Sequence, residues 1–183
     1  MRPIASVLLG LAAACACPAW AMDINGKTIG MPIDQVAKDY GKRWTCEVAT
    51  DARAGDLVCR KSMAVDEFPR MQNENFAGSH VTIFYRFHDD RLVRIRVSGV
   101  RNSRFESFLD TLKSAYGEPV VESGSVQGKS GKAFDRTTAR WESDGVVLDL
   151  VTSMPKPPAL SLSLYDAEYW KQNASAASPA DGD

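Results

Sequence analysis

Histidine is scarce in this chain: 183 residues carry only His80 and His88. On one extended strand the two would stand roughly 26 Å apart at about 3.3 Å per residue, too far to share an ion. No metal site and no cofactor is expected. Basic charge is also lacking, since 22 Lys and Arg are set against 23 Asp and Glu for a net charge of −1. That removes the electrostatic footprint of a nucleic-acid binder. Long apolar runs are missing as well. The one such stretch, Ile4–Ala14, is too short to span a bilayer, and none after it comes closer.

Catalytic patterns are equally thin. The four cysteines contain no C-x-x-C pair and have no neighbouring histidines, which argues against redox and zinc chemistry. Around Gly128-Lys129-Ser130 a phosphate-binding loop would need glycine where Ser123 stands, and Gly124 is one residue too close. A solvated loop over 123–131 is expected instead. Asp66 and Glu67 are adjacent, so on a strand they face opposite ways. No Ser/His/Asp set can be singled out. The one titratable constellation is His88 with Asp89 and Asp90. It carries the alternative reading of a small hydrolase or ligand-binding domain.

What is present begins with an address. Arg2, the apolar run and Ala19-Trp20-Ala21 match a secretory signal cleaved between Ala21 and Met22, so 1–21 is expected to be a signal peptide and the protein periplasmic or secreted. Cys15 and Cys17 have Ala12 and Ala14 three residues before them, where a lipoprotein signal carries a larger aliphatic residue. A lipid anchor is therefore not expected. Cys46 and Cys59 remain as a pair. In an exported chain they most simply form one disulfide across a hairpin, with a polar turn at Asp51–Asp56.

The chain reads as two halves, 22–99 and 100–170, followed by a polar tail, 171–183, expected to be disordered. Each half opens with a helix. In the first, Pro32 starts a helix carrying Ile33, Val36, Ala37 and Tyr40, and Gly41 stops it. In the second, Ser103 and Glu106 make a capping box ahead of Phe105, Phe108, Leu109, Leu112 and Tyr116, with Gly117 as the stop. Strands follow. Val81, Ile83, Tyr85 and Phe87 alternate on one face, as do Val93, Ile95 and Val97. All are odd-numbered, so the pairing predicts a three-residue loop, His88-Asp89-Asp90, with Asp90 left-handed. Asp144-Gly145 predicts a two-residue type I′ turn instead. It sets Trp141 opposite Leu148, Ala139 opposite Leu150 and Arg140 opposite Asp149. A last strand alternates Leu160, Leu162 and Leu164. The segment 62–79 has no clear period, and its Phe68, Met71 and Phe76 imply that it packs onto something.

The expected class is α+β: two helix-then-antiparallel-strands repeats forming a mainly antiparallel sheet with helices on one face. The segments "VAKDYG" and "LKSAYGEP", each leading into strands, resemble the tandem repeats of β-lactamase-inhibitor-like proteins, and the single unit is similar to the small lipoproteins of outer-membrane assembly. That resemblance covers about 24–166. It implies a protein-binding role played by a sheet face, and it transfers no individual binding residue. On the even-numbered face of the first hairpin, Phe84, Arg86, Leu92, Arg94 and Arg96 form an apolar and cationic set, the residue types that anchor interfaces. A cover of helices over the same residues is the competing expectation. The leading expectation is a non-enzymatic binding or inhibitor-like protein that recognises another envelope protein. An accessory subunit of an envelope assembly is a further alternative.

Overall fold

Alternating apolar residues build the core of this protein, and the points where the alternation breaks set its shape. A computed structural model describes residues 21–49, 56–61, 74–127, 131, 133–153 and 159–173. The described chain opens with a two-stranded ribbon, β1 (Asp23–Ile24) and β2 (Lys27–Thr28), then a short helix, α1 (Ile33–Ala37). Strands β3 (Trp44–Val48), β4 (Leu57–Lys61), β5 (Glu74–Phe76), β6 (Ser79–His88) and β7 (Arg91–Arg101) follow. Helix α2 (Phe105–Tyr116) leads into β8 (Val120–Gln127), β9 (Ala133–Ser143), β10 (Val146–Ser153) and β11 (Ala159–Asp166). Helix α3 (Ala167–Asn173) ends the described chain.

The protein is α+β and mostly antiparallel. Among the described residues nine strands form one sheet in the order β3-β4-β6-β7-β11-β10-β9-β8, with β5 beside β6. The sheet is continuous where the halves meet, because β7 pairs with β11. β7 itself runs on to Arg101, past the boundary drawn at residue 99. One face of the sheet carries the core: Ile83, Tyr85, Ile95, Val97, Ala139, Leu148, Leu150, Leu162 and Leu164 join Val36, Phe108 and Leu112 of the helices in a single buried cluster. Each fully buried aliphatic side chain there is stabilising by about 2 kcal/mol relative to exposure.

The second hairpin follows its expected register. Asp144 and Gly145 turn with φ of 51° and 76°, Trp141 faces Leu148, and Ala139 faces Leu150. The Trp141 indole N–H donates to the Gly117 carbonyl at 2.7 Å, which ties this hairpin to the end of α2.

The first hairpin differs. Its turn is two residues, Asp89 and Asp90, both left-handed with φ of 46° and 59°. His88 then pairs with Arg91 and Phe87 with Leu92, odd against even. A bulge at Val93 corrects the parity, so that Arg86 faces Arg94 and Tyr85 faces Ile95. The odd-on-odd pairing is met, but by an extra residue inside the strand rather than by a third residue in the loop. A second shift occurs at Gly99, whose φ is 89°. Leu160 faces Val100 while Leu162 faces Val97. β7 therefore sends even Leu92, odd Ile95 and Val97, and even Val100 into the same core.

The helices depart from expectation at their starts. α1 begins at Ile33 with Pro32 as its extended N-cap, and Tyr40 lies beyond its end, before a 3-10 turn at Gly41–Arg43. The Ser103/Glu106 capping box does not form. A 3-10 turn occupies Asn102–Arg104, Arg104 becomes the N-cap of α2, and no side chain caps it. Gly117 ends α2 with φ of 82°, as expected.

The Cys46–Cys59 disulfide is present, the two residues facing each other across β3 and β4 with Cα atoms 4.1 Å apart. Closing a loop of this length contributes about 3 kcal/mol in the chain-entropy account. The segment 123–131, expected as a loop, is β8 as far as Gln127. Phe76, in β5, packs on Phe108 with ring centroids 5.8 Å apart. Residues 171–173, expected in the tail, are helical, because α3 continues to Asn173, and the rest of that segment lies outside the described residues. The expected signal peptide with Cys15 and Cys17, the turn at residues 51–55, Phe68 and Met71, Asp66 and Glu67, and the Gly128-Lys129-Ser130 triplet lie outside the described residues. Ala21 is exposed and Met22 is buried. Among the described residues no helix is long and apolar enough to cross a membrane.

Candidate functional site

The face of the sheet opposite the core carries most of the residues singled out for binding. Cross-strand pairing lays them out in rows. Phe84 faces Arg96, Arg96 faces Ser163, Ser163 faces Asp149, Asp149 faces Arg140, and Arg140 faces Val120. In the next row Val58 faces Arg86, Arg86 faces Arg94, and Arg94 faces Tyr165. Alternation in β6 and in β7 beyond the bulge puts these residues on one side, because their odd neighbours fill the core. Leu92 is the exception and a correction: it is fully buried, since it precedes the bulge and so has core parity.

The two ends of this face differ in charge. In the second half, Asp149 accepts from Arg140 Nε at 2.7 Å and Nη2 at 2.9 Å, and from the Tyr165 hydroxyl at 2.9 Å. Burial and the Asp149 carboxylate push the Tyr165 phenol up to about 12. The charges there neutralise one another. In the first half, Arg96 is exposed and lies over the half-buried Phe84 ring, 5.0 Å from its centroid. Arg60, exposed on β4, projects to the same side because Cys59 next to it is in the core. Glu47, opposite Val58, brings a carboxylate to the β3 edge.

Helix α3 covers part of this face. Its first turn is capped by the Asp166 carboxylate, which accepts from the Tyr169 amide at 2.8 Å. Trp170 packs at a tilt against Tyr165, ring centroids 5.6 Å apart, and receives the Arg94 guanidinium at 4.5 Å, while Arg94 also donates to Ser163 Oγ at 3.2 Å. The expectation of a cover thus holds for Arg94, and Arg86 also lies against Tyr169. It does not hold for Phe84 and Arg96.

His88 stands at the margin of the same helix. Its Nδ1 lies 2.8 Å from Asp56 Oδ1, and Asp56 is completely buried. The Tyr169 hydroxyl donates to the other Asp56 oxygen, and burial with that carboxylate raises the phenol pKa. Asp89 Oδ2 is 3.5 Å from His88 Nε2, whereas Asp90 serves the turn through its backbone. The structure thus joins His88 to Asp56 and Tyr169, neither of which stood out in the sequence. The signal for Asp56 was its place in the polar turn. For Tyr169 it was the Asp-x-x-Tyr spacing after a strand, which reads as an N-cap.

A third cluster lies at the core side of β4 and β6. The Tyr40 hydroxyl bonds Glu74 Oε2 at 2.9 Å and the Tyr85 hydroxyl at 2.6 Å, under the ring of Trp44, which stacks on Tyr40. Burial raises the pKa values of all three titratable groups. Every polar atom named in this cluster is satisfied from within it, which is the pattern of a structural network. No group of three or more His, Cys, Asp or Glu among the described residues is arranged to hold a metal ion. No protein-family model, curated protein or solved structure matches this chain.

Proposed function

We propose that this is an exported, non-enzymatic binding protein that holds another cell-envelope protein against the first-half end of its open sheet face. The observation that carries the reading is the Phe84–Arg96 pair, an aromatic ring under an exposed guanidinium, with Arg60 on the neighbouring strand and α3 stopping short of it. Such pairs combine a large contact area with directed hydrogen bonds and recur at interface anchors. The partner surface would be acidic, to match Arg60 and Arg96. Export is supported by the Cys46–Cys59 disulfide, which persists in oxidising compartments. The strand order supports a two-repeat architecture. One set of strands follows α1 and another follows α2, each ends on its inner strand, and β7 and β11 meet in the middle.

Phe84→Ser with Arg96→Glu tests the reading, because both changes avoid the residues that seat α3. Cross-linking in the intact envelope should recover one stoichiometric partner with the wild type and lose it with the variant. An identical set of adducts from both proteins would remove this face from consideration.

A second reading rests on the His88–Asp56 contact, which resembles the oriented base of a hydrolase. No Ser or Cys side chain appears among the contacts of His88 within the described residues. His88→Ala abolishing turnover of an ester probe would favour this reading over the first.

A further inference from the structure

Among the described residues the main path of the sheet ends at β3 and at β8, and these two edges are not equally protected. β3 is five residues long and is bonded covalently to its neighbour through Cys46. β8 is eight residues long, and every one of them except Val126 is exposed. Val120 and Val121, at 66% and 51%, are two of the three large apolar residues exposed in the described molecule. Natural edges carry proline, lysine or inward-pointing charge that blocks further pairing. Between Val120 and Gln127 there is no proline and no lysine, and Glu122 is the single charge.

The order of residues in β8 selects an occupant. Two copies of one strand pair antiparallel about a two-fold axis only if some residue faces its own copy, because directly opposed residues share a sheet face. Centring on Glu122 would set two carboxylates directly opposite, which is destabilising. Centring on Gly124 would put Glu122 opposite the partner's Val126. Centring on Ser123 puts Val120 opposite the partner's Val126, twice by symmetry. It also places Val121 opposite the partner's Ser125 and Glu122 opposite the partner's Gly124. Both exposed valines of the edge then acquire neighbours, and no like charges meet.

We infer that β8 is a homodimerisation edge, pairing antiparallel with β8 of a second copy centred on Ser123 and joining two sheets into one. β8 lies four strand spacings from β7, about 19 Å, so this edge and the Phe84–Arg96 surface succeed or fail separately.

Sedimentation of the exported protein across a dilution series from micromolar to millimolar is the test. The wild type should show a reversible dimer. Val120→Lys with Val126→Lys opposes lysines at both ends of the pairing and should weaken the dimer roughly tenfold or more. Val120→Glu with Val126→Lys sets opposite charges face to face in this register and should restore the dimer. Diluted to monomers, all three proteins should keep the same circular dichroism, since Val120 is exposed and Val126 only half-buried on the outermost strand. A wild type that stays monomeric throughout overturns the inference and leaves the edge to an unlike strand or to solvent. Two charged variants that dimerise equally would overturn the Ser123-centred register.

Discussion

The two central hairpins solve one problem in different ways. β9 and β10 turn through Asp144-Gly145 and remain in register to the Thr138–Val151 pair, so apolar residues meet apolar residues with no correction. β6 and β7 turn through Asp89-Asp90 and start in the wrong parity, which the bulge at Val93 repairs. The difference also appears in the surrounding groups. The second hairpin is supported by an exposed Arg140–Asp149 pair and the Trp141 bond to Gly117. Beside the first stand a disulfide, a buried aspartate and the Tyr40–Glu74–Tyr85 network. A hairpin whose pattern and turn agree is specified locally. One that carries a bulge depends on tertiary contacts to hold it.

The sharpest way to break this comparison is to truncate a leucine in each hairpin. Leu92→Ala and Leu148→Ala should each destabilise by about 3 kcal/mol in urea unfolding, because both side chains are fully buried. A Leu92 effect within about 0.5 kcal/mol would instead mean a surface position, and with it the three-residue loop.

A smaller effect separates the turns. Gly145 has a φ of 76° and open space where a Cβ would sit, so Gly145→Ala should destabilise by about 1 kcal/mol through backbone strain alone. Asp90→Gly should act in the opposite sense, raising stability by less than about 1 kcal/mol, because Asp90 already occupies left-handed space. Thermal melts of the two variants read both signs.

The subtlest outcome concerns the polar network of the first half. Burial holds the Glu74 pKa above its ordinary value of 4.5, so the folded state binds the proton more tightly than the unfolded state. Stability must then fall as pH rises from about 4.5 through the raised pKa, where the curve levels off. Glu74→Gln, which carries no titrating proton, should lack that fall. Parallel melting curves for the two proteins across that window would show that Glu74 is not protonated preferentially in the fold.

Much of the candidate site was legible because strand parity is a local property. Phe84, Arg94 and Arg96 fall on the face opposite the core, as alternation with Ile83, Tyr85, Ile95 and Val97 requires. Leu92 was misassigned for the same reason, since counting by twos cannot foresee an inserted residue. Asp56 and Tyr169, 113 residues apart, had no shared signal at all. Nor did the seating of α3, whose seven residues are too few to show a helical period and depend on Asp166, Arg94 and Tyr165 from the sheet.

By itself the chain determined what depends on neighbours in sequence. That includes the Asp144-Gly145 turn and its register, the alternation of the strands, the apolar stripe of α2, and the pairing of Cys46 with Cys59. Tertiary structure alone decided that β7 and β11 meet, that β7 bulges at Val93 and Gly99, and that α3 closes over Arg94 while Phe84 and Arg96 stay outside it. Turn chemistry and periodicity act over a few residues. A bulge or a docked helix is chosen by whichever arrangement buries the most apolar surface with every polar group satisfied, and that choice belongs to the whole sheet.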